Sequence, residues 1–179
     1  SSYYIKNKVK YKIKIILLMI GLYLFLIHII CYWTMVYIYD KNVNVKDYKI
    51  SVTNSIKNQI LYTFPSTIIF FNYYPIQYNN LLLSFTYIPI LIIVSDCYFY
   101  ITHRPLHTKW LYYLHKSHHT GEVHVAKSLD AHGLEHIIGN LGSFICGIAL
   151  LWYYGFIINI YIISIWIGLA TINTCISHS

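Results

Sequence analysis

The chain has 179 residues, of which 57% are hydrophobic and 11% are charged, with a net charge of +7. A soluble domain carries about 25% charged residues, whereas residues 15–39, 58–95 and 137–179 hold none here. Each gap exceeds the roughly 20 apolar residues that cross a hydrocarbon core, which excludes a soluble globule and the disordered and fibrous classes.

Residues 1–14 carry Lys6, Lys8, Lys10, Lys12 and Lys14 directly before the first apolar run. That placement is a topogenic cytoplasmic flank under the positive-inside rule, and it argues against nucleic-acid binding. The run at 15–39 is far longer than a signal-peptide core and no A-x-A site follows it, so it reads as a retained anchor. The chain opens on Ser-Ser rather than Met, which predicts a natural start further upstream. His28 lies in mid-span with no histidine neighbour, and is expected to hydrogen-bond within the bundle.

Residues 40–57 are polar and are expected to form a loop. Residues 60–76, interrupted by Pro65 and Pro75, predict a kinked or re-entrant segment. After the QYNN turn, 81–102 is a second full span with Pro89 and one acid, Asp96. Residues 137–153 and 156–174, split at Gly155, predict a helical hairpin that returns its end to the side it left. Cys31, Cys97, Cys146 and Cys175 all lie in apolar stretches without a CxxC, and read as small buried hydrophobes. The fold expected is an all-α integral membrane bundle with a histidine-rich helical cap. Its organisation is a basic flank (1–14), anchor spans (15–95) and a polar-to-apolar C-terminal domain (96–179).

Eight of the ten histidines fall between His103 and His136. They form HRPLH (His103, His107), HKSHH (His115, His118, His119) and HGLEH (His132, Glu135, His136). Positions i, i+3 and i+4 share a helix face. Imidazole suits iron, zinc, copper or nickel, and two such faces could hold a metal pair between them. Pro105 is tolerated in a first helical turn but not in an interior, so the chain is expected to break near the end of 81–102 and restart at His103. His124 reads as an ordinary loop histidine and Arg104 as a phosphate or outer contact. His132 and His136 are read equally as metal-site residues or as caps of the hairpin start.

With AHGLEH following them, these boxes resemble the membrane-bound fatty acid hydroxylase and sterol desaturase superfamily. The nearest pattern is that of 4-methylsterol monooxygenases (HRxLH, HKxHH, AHPLE). The resemblance covers residues 96–179. It implies a cytoplasm-facing non-haem di-iron centre in the endoplasmic reticulum membrane, acting on a sterol or fatty acyl lipid with O2. Electrons would come from NAD(P)H through a b-type cytochrome and its reductase. It implies His103, His107, His115, His118, His119 and His178 as iron ligands, with no catalytic residue beyond them. Asp96, His132, Glu135 and His136 are candidates for further ligands or ligand-orienting groups, and Asp96 reads equally as a helix-end residue at the membrane surface.

Two departures stand out. Gly133 replaces the proline of AHPLE, and the family's final HxxHH box is absent from these 179 residues. A membrane metal-binding or transport protein, and a non-catalytic remnant of the oxygenase, stay open as alternatives. Transporters place polar residues at mid-span, and here the clusters lie outside the spans. If the N-terminus is cytoplasmic, the histidines are cytoplasmic only if 60–76 does not cross.

Overall fold

The computed structural model describes residues 2–78 and 80–179. Ser1, Asn79 of the QYNN turn, and the side chains of residues 2–11 and 13, those of Lys6, Lys8 and Lys10 among them, lie outside the described residues. Among the described residues the chain is made of helices joined by short turns and loops, with no strand and one isolated bridge between Gln77 and Asn159. Lys14–Tyr39, Leu81–His107 and Gly133–Tyr153 are each long and apolar enough to cross a membrane, and Ile160–Ile176 is a shorter apolar helix. Their outward faces carry Ile16, Ile30, Leu82 and Ile93, more than half exposed, as a lipid solvent requires. The protein is an all-α membrane helical bundle.

Helix α1 (Ser2–Tyr39) is followed by α2 (Val45–Asn58), which runs without interruption through a wider turn at Gln59–Thr63 into α3 (Phe64–Tyr73). Phe25 meets Phe64, and Gly21 lies against Ile68, so α3 runs antiparallel to α1. A Cβ on Gly21 would stand 3.1 Å from the Ile68 Cα, which shows how closely the two backbones approach. After the short α4 (Leu81–Phe85), helix α5 (Ile88–His103) returns. The brief α6 (Tyr112–His115) and α7 (Gly133–Glu135) cap the bundle, and α8 (Gly142–Tyr153) and α9 (Ile160–Ile176) close it. Gly142 packs on Tyr98 and Gly147 on Leu91, which sets α8 antiparallel to α5. Gly155, at φ 83°, makes the reversal between α8 and α9. As expected, α9 brings its end back to the histidines.

The bundle therefore has two ends. Tyr74, Gln77, Ser84, Trp152 and Asn159 meet at one, through the Tyr74 hydroxyl to Ile158 N–H (2.8 Å) and Ser84 to Asn159 N–H (2.9 Å). Asp40, the histidine boxes and His178 meet at the other. Because α1 reaches the histidine end only at Tyr39, the basic flank and the histidines stand at opposite ends.

The 40–57 segment is a helix rather than a loop. Asn44 caps it, its side chain accepting from the Lys46 N–H at 3.0 Å. Its buried stripe is Ser51, Ser55 and Asn58, continued by Gln59 and Thr63. That spacing is helical but the residues are polar, so no hydrophobic period marks it. The stripe grips the backbone of the following cap: Ser55 donates to the Ala126 carbonyl (2.7 Å), and Asn58 to those of Leu129 (2.7 Å) and Ala131 (2.9 Å). Ser51 and Asn54 donate to the Asp130 carboxylate at 2.8 and 2.9 Å.

All four cysteines are free; Cys175 is buried, but Cys97 is exposed because α5 turns that face outward, so the expectation of four buried thiols is corrected.

Candidate metal centre

The first box sits at the end of α5. The helix continues into a tighter turn, Arg104–His107, with Pro105 in its first positions, so there is no break before His103. The i, i+4 spacing holds, and His103 Nε2 and His107 Nε2 face each other at 3.3 Å. In the second box, α6 passes into another tight turn, Lys116–His119. It places His119 Nε2 2.7 Å from His115 Nε2. The ring of His115 stands 4.5 Å from that of His103 and 4.7 Å from that of His107. One ligand atom each from His103, His107 and His115 lies within 4.8 Å of the others. His118 turns the other way, and its Nε2 meets His178 Nε2, from the end of α9, at 2.8 Å.

The six histidines thus converge as a set of four and a set of two. His178 donates from Nδ1 to the Thr174 carbonyl at 2.9 Å, which leaves its Nε2 as a lone pair toward His118. His115 is fully buried, and its Nδ1 lies 2.5 Å from Glu135 Oε1. Burial first, then His103, His119 and His107, pulls His115 down to about 3. In this contact the imidazole Nδ1–H donates to the Glu135 carboxyl group. Burial, followed by His178, His115 and His119, likewise brings His118 to about 3, against a smaller opposing effect of the Asp130 backbone. His119 and His178 are lowered too, chiefly by burial. Rings of this kind stay neutral at physiological pH and keep their lone pairs.

Such a donor set fits a metal. Two imidazole nitrogens about 2.1 Å from one ion and at right angles stand roughly 3 Å apart, and the three Nε2 pairs lie at 2.7, 2.8 and 3.3 Å.

The remaining expected residues divide. Glu135 orients His115. Asp96 lines the chamber described below, two turns before His103 on α5, and hydrogen-bonds no histidine among the described residues. His136 is occupied internally: Asn140 Nδ2 donates to its Nδ1 (3.4 Å), and its Nε2 donates to Thr63 (2.9 Å). His132 caps α7, its Nδ1 accepting from the Leu134 N–H at 3.2 Å. Arg104 donates to the Tyr100 hydroxyl and lies over its ring.

His124 is no ordinary loop residue. It is 3% exposed, with Nδ1 3.5 Å from Asp40. Asp40 also accepts from the N–H groups of Val125 (2.8 Å) and Ala126 (2.7 Å). A buried acid just past the end of an anchor helix was the overlooked signal.

Gly133 owes its identity to Tyr62. A Cβ there, whether of alanine or of the proline in AHPLE, would stand 2.5 Å from the Tyr62 hydroxyl and 2.7 Å from ring carbon Cζ. Gly133→Ala is expected to lower stability by about 1–3 kcal/mol, the usual range for overpacking. Tyr62→Ala in the same chain should restore most of the loss in a thermal melt.

Behind the histidines lies a chamber of about 430 Å³. His103, His118, His178 and Glu135 stand at one end, Ile92, Phe99, Phe144, Trp166, Leu169 and Ala170 form an apolar wall, and Asp96 with several Ser, Thr and Asn side chains completes the lining.

No curated protein and no solved structure matches the chain. The fatty acid hydroxylase family model matches residues 88–179, just over half of it, from the first residue of α5 through both histidine sets to His178. The chain belongs to the fatty acid hydroxylase family.

Proposed function

We propose that this protein oxidises a membrane lipid in an O2-dependent hydroxylation or desaturation at two histidine-held irons, with a sterol methyl group as the favoured target over a fatty acyl chain. Family membership assigns lipid oxidation in general. The finer reading is carried by one observation: six Nε2 atoms converge in two sets, and His103, His118 and His178 among them line one end of a chamber with an apolar wall between membrane-spanning helices.

In this reading His103, His107, His115 and His119 hold one iron, and His118 and His178 belong to the other. Bound iron supplies the redox chemistry needed for an unactivated C–H bond, which side-chain acids and bases cannot cleave. The chain's own residues do the rest. Glu135 fixes the proton of His115 on Nδ1, so that Nε2 faces inward. His178 is fixed in the same sense by the Thr174 carbonyl. Phe99, Phe144, Trp166 and Leu169 take the lipid from the bilayer, exclude water, and present a carbon to the histidine end. Electrons come from NAD(P)H through a b-type cytochrome and its reductase. The histidine end faces the cytoplasm of the endoplasmic reticulum membrane, with the basic flank on the other side.

The test is metal analysis of the purified protein after anaerobic loading with Fe(II). His118→Ala combined with His119→Ala removes one ligand from each set. It is expected to reduce bound iron below half of the wild-type content. Unchanged iron content overturns the assignment.

A further inference from the structure

His28 lies halfway along the membrane-spanning part of α1 and is 6% exposed. Its Nδ1 meets Thr171 Oγ1 at 3.0 Å. Thr171 gives its only hydroxyl proton to the Ile167 carbonyl, 2.8 Å away, so toward His28 its oxygen accepts. The proton of a neutral His28 ring therefore sits on Nδ1, and Nε2 is a bare acceptor. That Nε2 is buried without a partner among the described residues. His136, the other histidine buried in the helical bundle, has both nitrogens satisfied.

The His28 ring lines a narrow cleft of about 50 Å³ where α1, α3, α8 and α9 meet. The other walls are largely apolar, with Leu24, Phe71, Phe144, Ile148 and Ile167 among them. Two threonines also line it, and each hydroxyl oxygen already has a partner: Thr67 donates to the Thr63 carbonyl at 2.7 Å, and Thr63 accepts from His136 Nε2 at 2.9 Å. The cleft thus offers one unpartnered polar atom, and that atom only accepts. A buried water needs two to four polar partners. An alcohol on an apolar body needs one.

We propose that this cleft is a second lipid site, which takes the end of a hydroxyl-bearing lipid and receives its O–H at His28 Nε2. The cleft is too small for a whole lipid, so the body of the molecule extends into the bilayer along the bundle. Phe144 forms a wall of both this cleft and the histidine chamber. The inference does not rest on the iron reading, because none of the proposed ligands lines the cleft.

The whole chain in lipid nanodiscs is photolabelled with a diazirine sterol and with a diazirine hexadecanol, each beside its methyl ether. The ether keeps the shape and loses the donor. For one alcohol or both, labelling of the Leu24–His28 or Thr67–Phe71 region is expected to exceed that of the matching ether by about tenfold, the size of one net hydrogen bond. His28→Leu should bring alcohol and ether to equal labelling. Equal labelling of alcohol and ether in the wild type, for both pairs, overturns the proposal and leaves a bound water only. That comparison needs no variant to fold. Discrimination that survives His28→Leu also overturns it.

Discussion

Glu135→Leu is expected to weaken metal binding about 100-fold and Glu135→Gln about 10-fold, the range seen when a carboxylate behind a ligand histidine is removed. Glu135 is 5% exposed, and its Oε1 lies 2.5 Å from His115 Nδ1. That bond decides which nitrogen of His115 carries the proton. With Nδ1–H committed to the carboxyl group, the lone pair on Nε2 points at His119 Nε2, 2.7 Å away. Leucine leaves the ring free to take the other tautomer, which turns an N–H toward the metal position. Glutamine keeps an oxygen for the bond but loses the charge that polarises the imidazole. Titration with Co(II), followed by its visible absorption, reads the affinity directly. Circular dichroism separates lost affinity from lost fold. An unchanged Co(II) affinity in Glu135→Leu would show that the carboxylate does not support the site.

Asp40→Ala should cost about 2–6 kcal/mol of stability, since it leaves two buried N–H groups unpaired at about 1–3 kcal/mol each. Its carboxylate holds the N–H groups of Val125 and Ala126 at 2.8 and 2.7 Å beside buried His124. Without it, both N–H groups are orphaned under the cap. The same short stretch is gripped from below: Tyr32 and Ser55 both donate to the Ala126 carbonyl, at 2.8 and 2.7 Å. The loss should therefore appear as local opening before global unfolding. Hydrogen exchange at Val125 and Ala126 is expected to accelerate strongly, and the thermal midpoint to fall. Asp40→Asn, which keeps one accepting oxygen, should lie between. Exchange at these two amides that matches the wild type would refute the role.

The two carboxylates show why parts of the site were legible in the chain and parts were not. The histidine boxes could be read because their spacing is local: i, i+3 and i+4 place side chains on one face whatever the rest of the protein does. His178 entered the ligand set through the family pattern alone, and only the structure pairs it with His118, 60 residues away. Glu135 stood out as one of several acids near the boxes, but nothing local distinguishes it from Asp96, and distance alone assigns His115 to it. His124 and Asp40 were missed because each looks ordinary in its own segment. Helix α2 was missed for another reason. Its buried stripe is made of Ser51, Ser55 and Asn58, which satisfy carbonyls rather than bury apolar area, and a search for hydrophobic periodicity is blind to such a face.

The sequence by itself determined the membrane-embedded helical class, because the energetic penalty for charge in hydrocarbon leaves long gaps that no other class tolerates. It also determined the ligand type and the local faces, because helical geometry fixes which side chains neighbour each other. Only the tertiary structure decided that α2 and α3 return along α1, which puts the basic flank and the histidines at opposite ends. It also decided the grouping of the histidines into four and two, and it left His28 with one bare nitrogen in an apolar cleft. Those outcomes depend on contacts between segments far apart in the chain. Helix packing sets such contacts, and no local spacing encodes them.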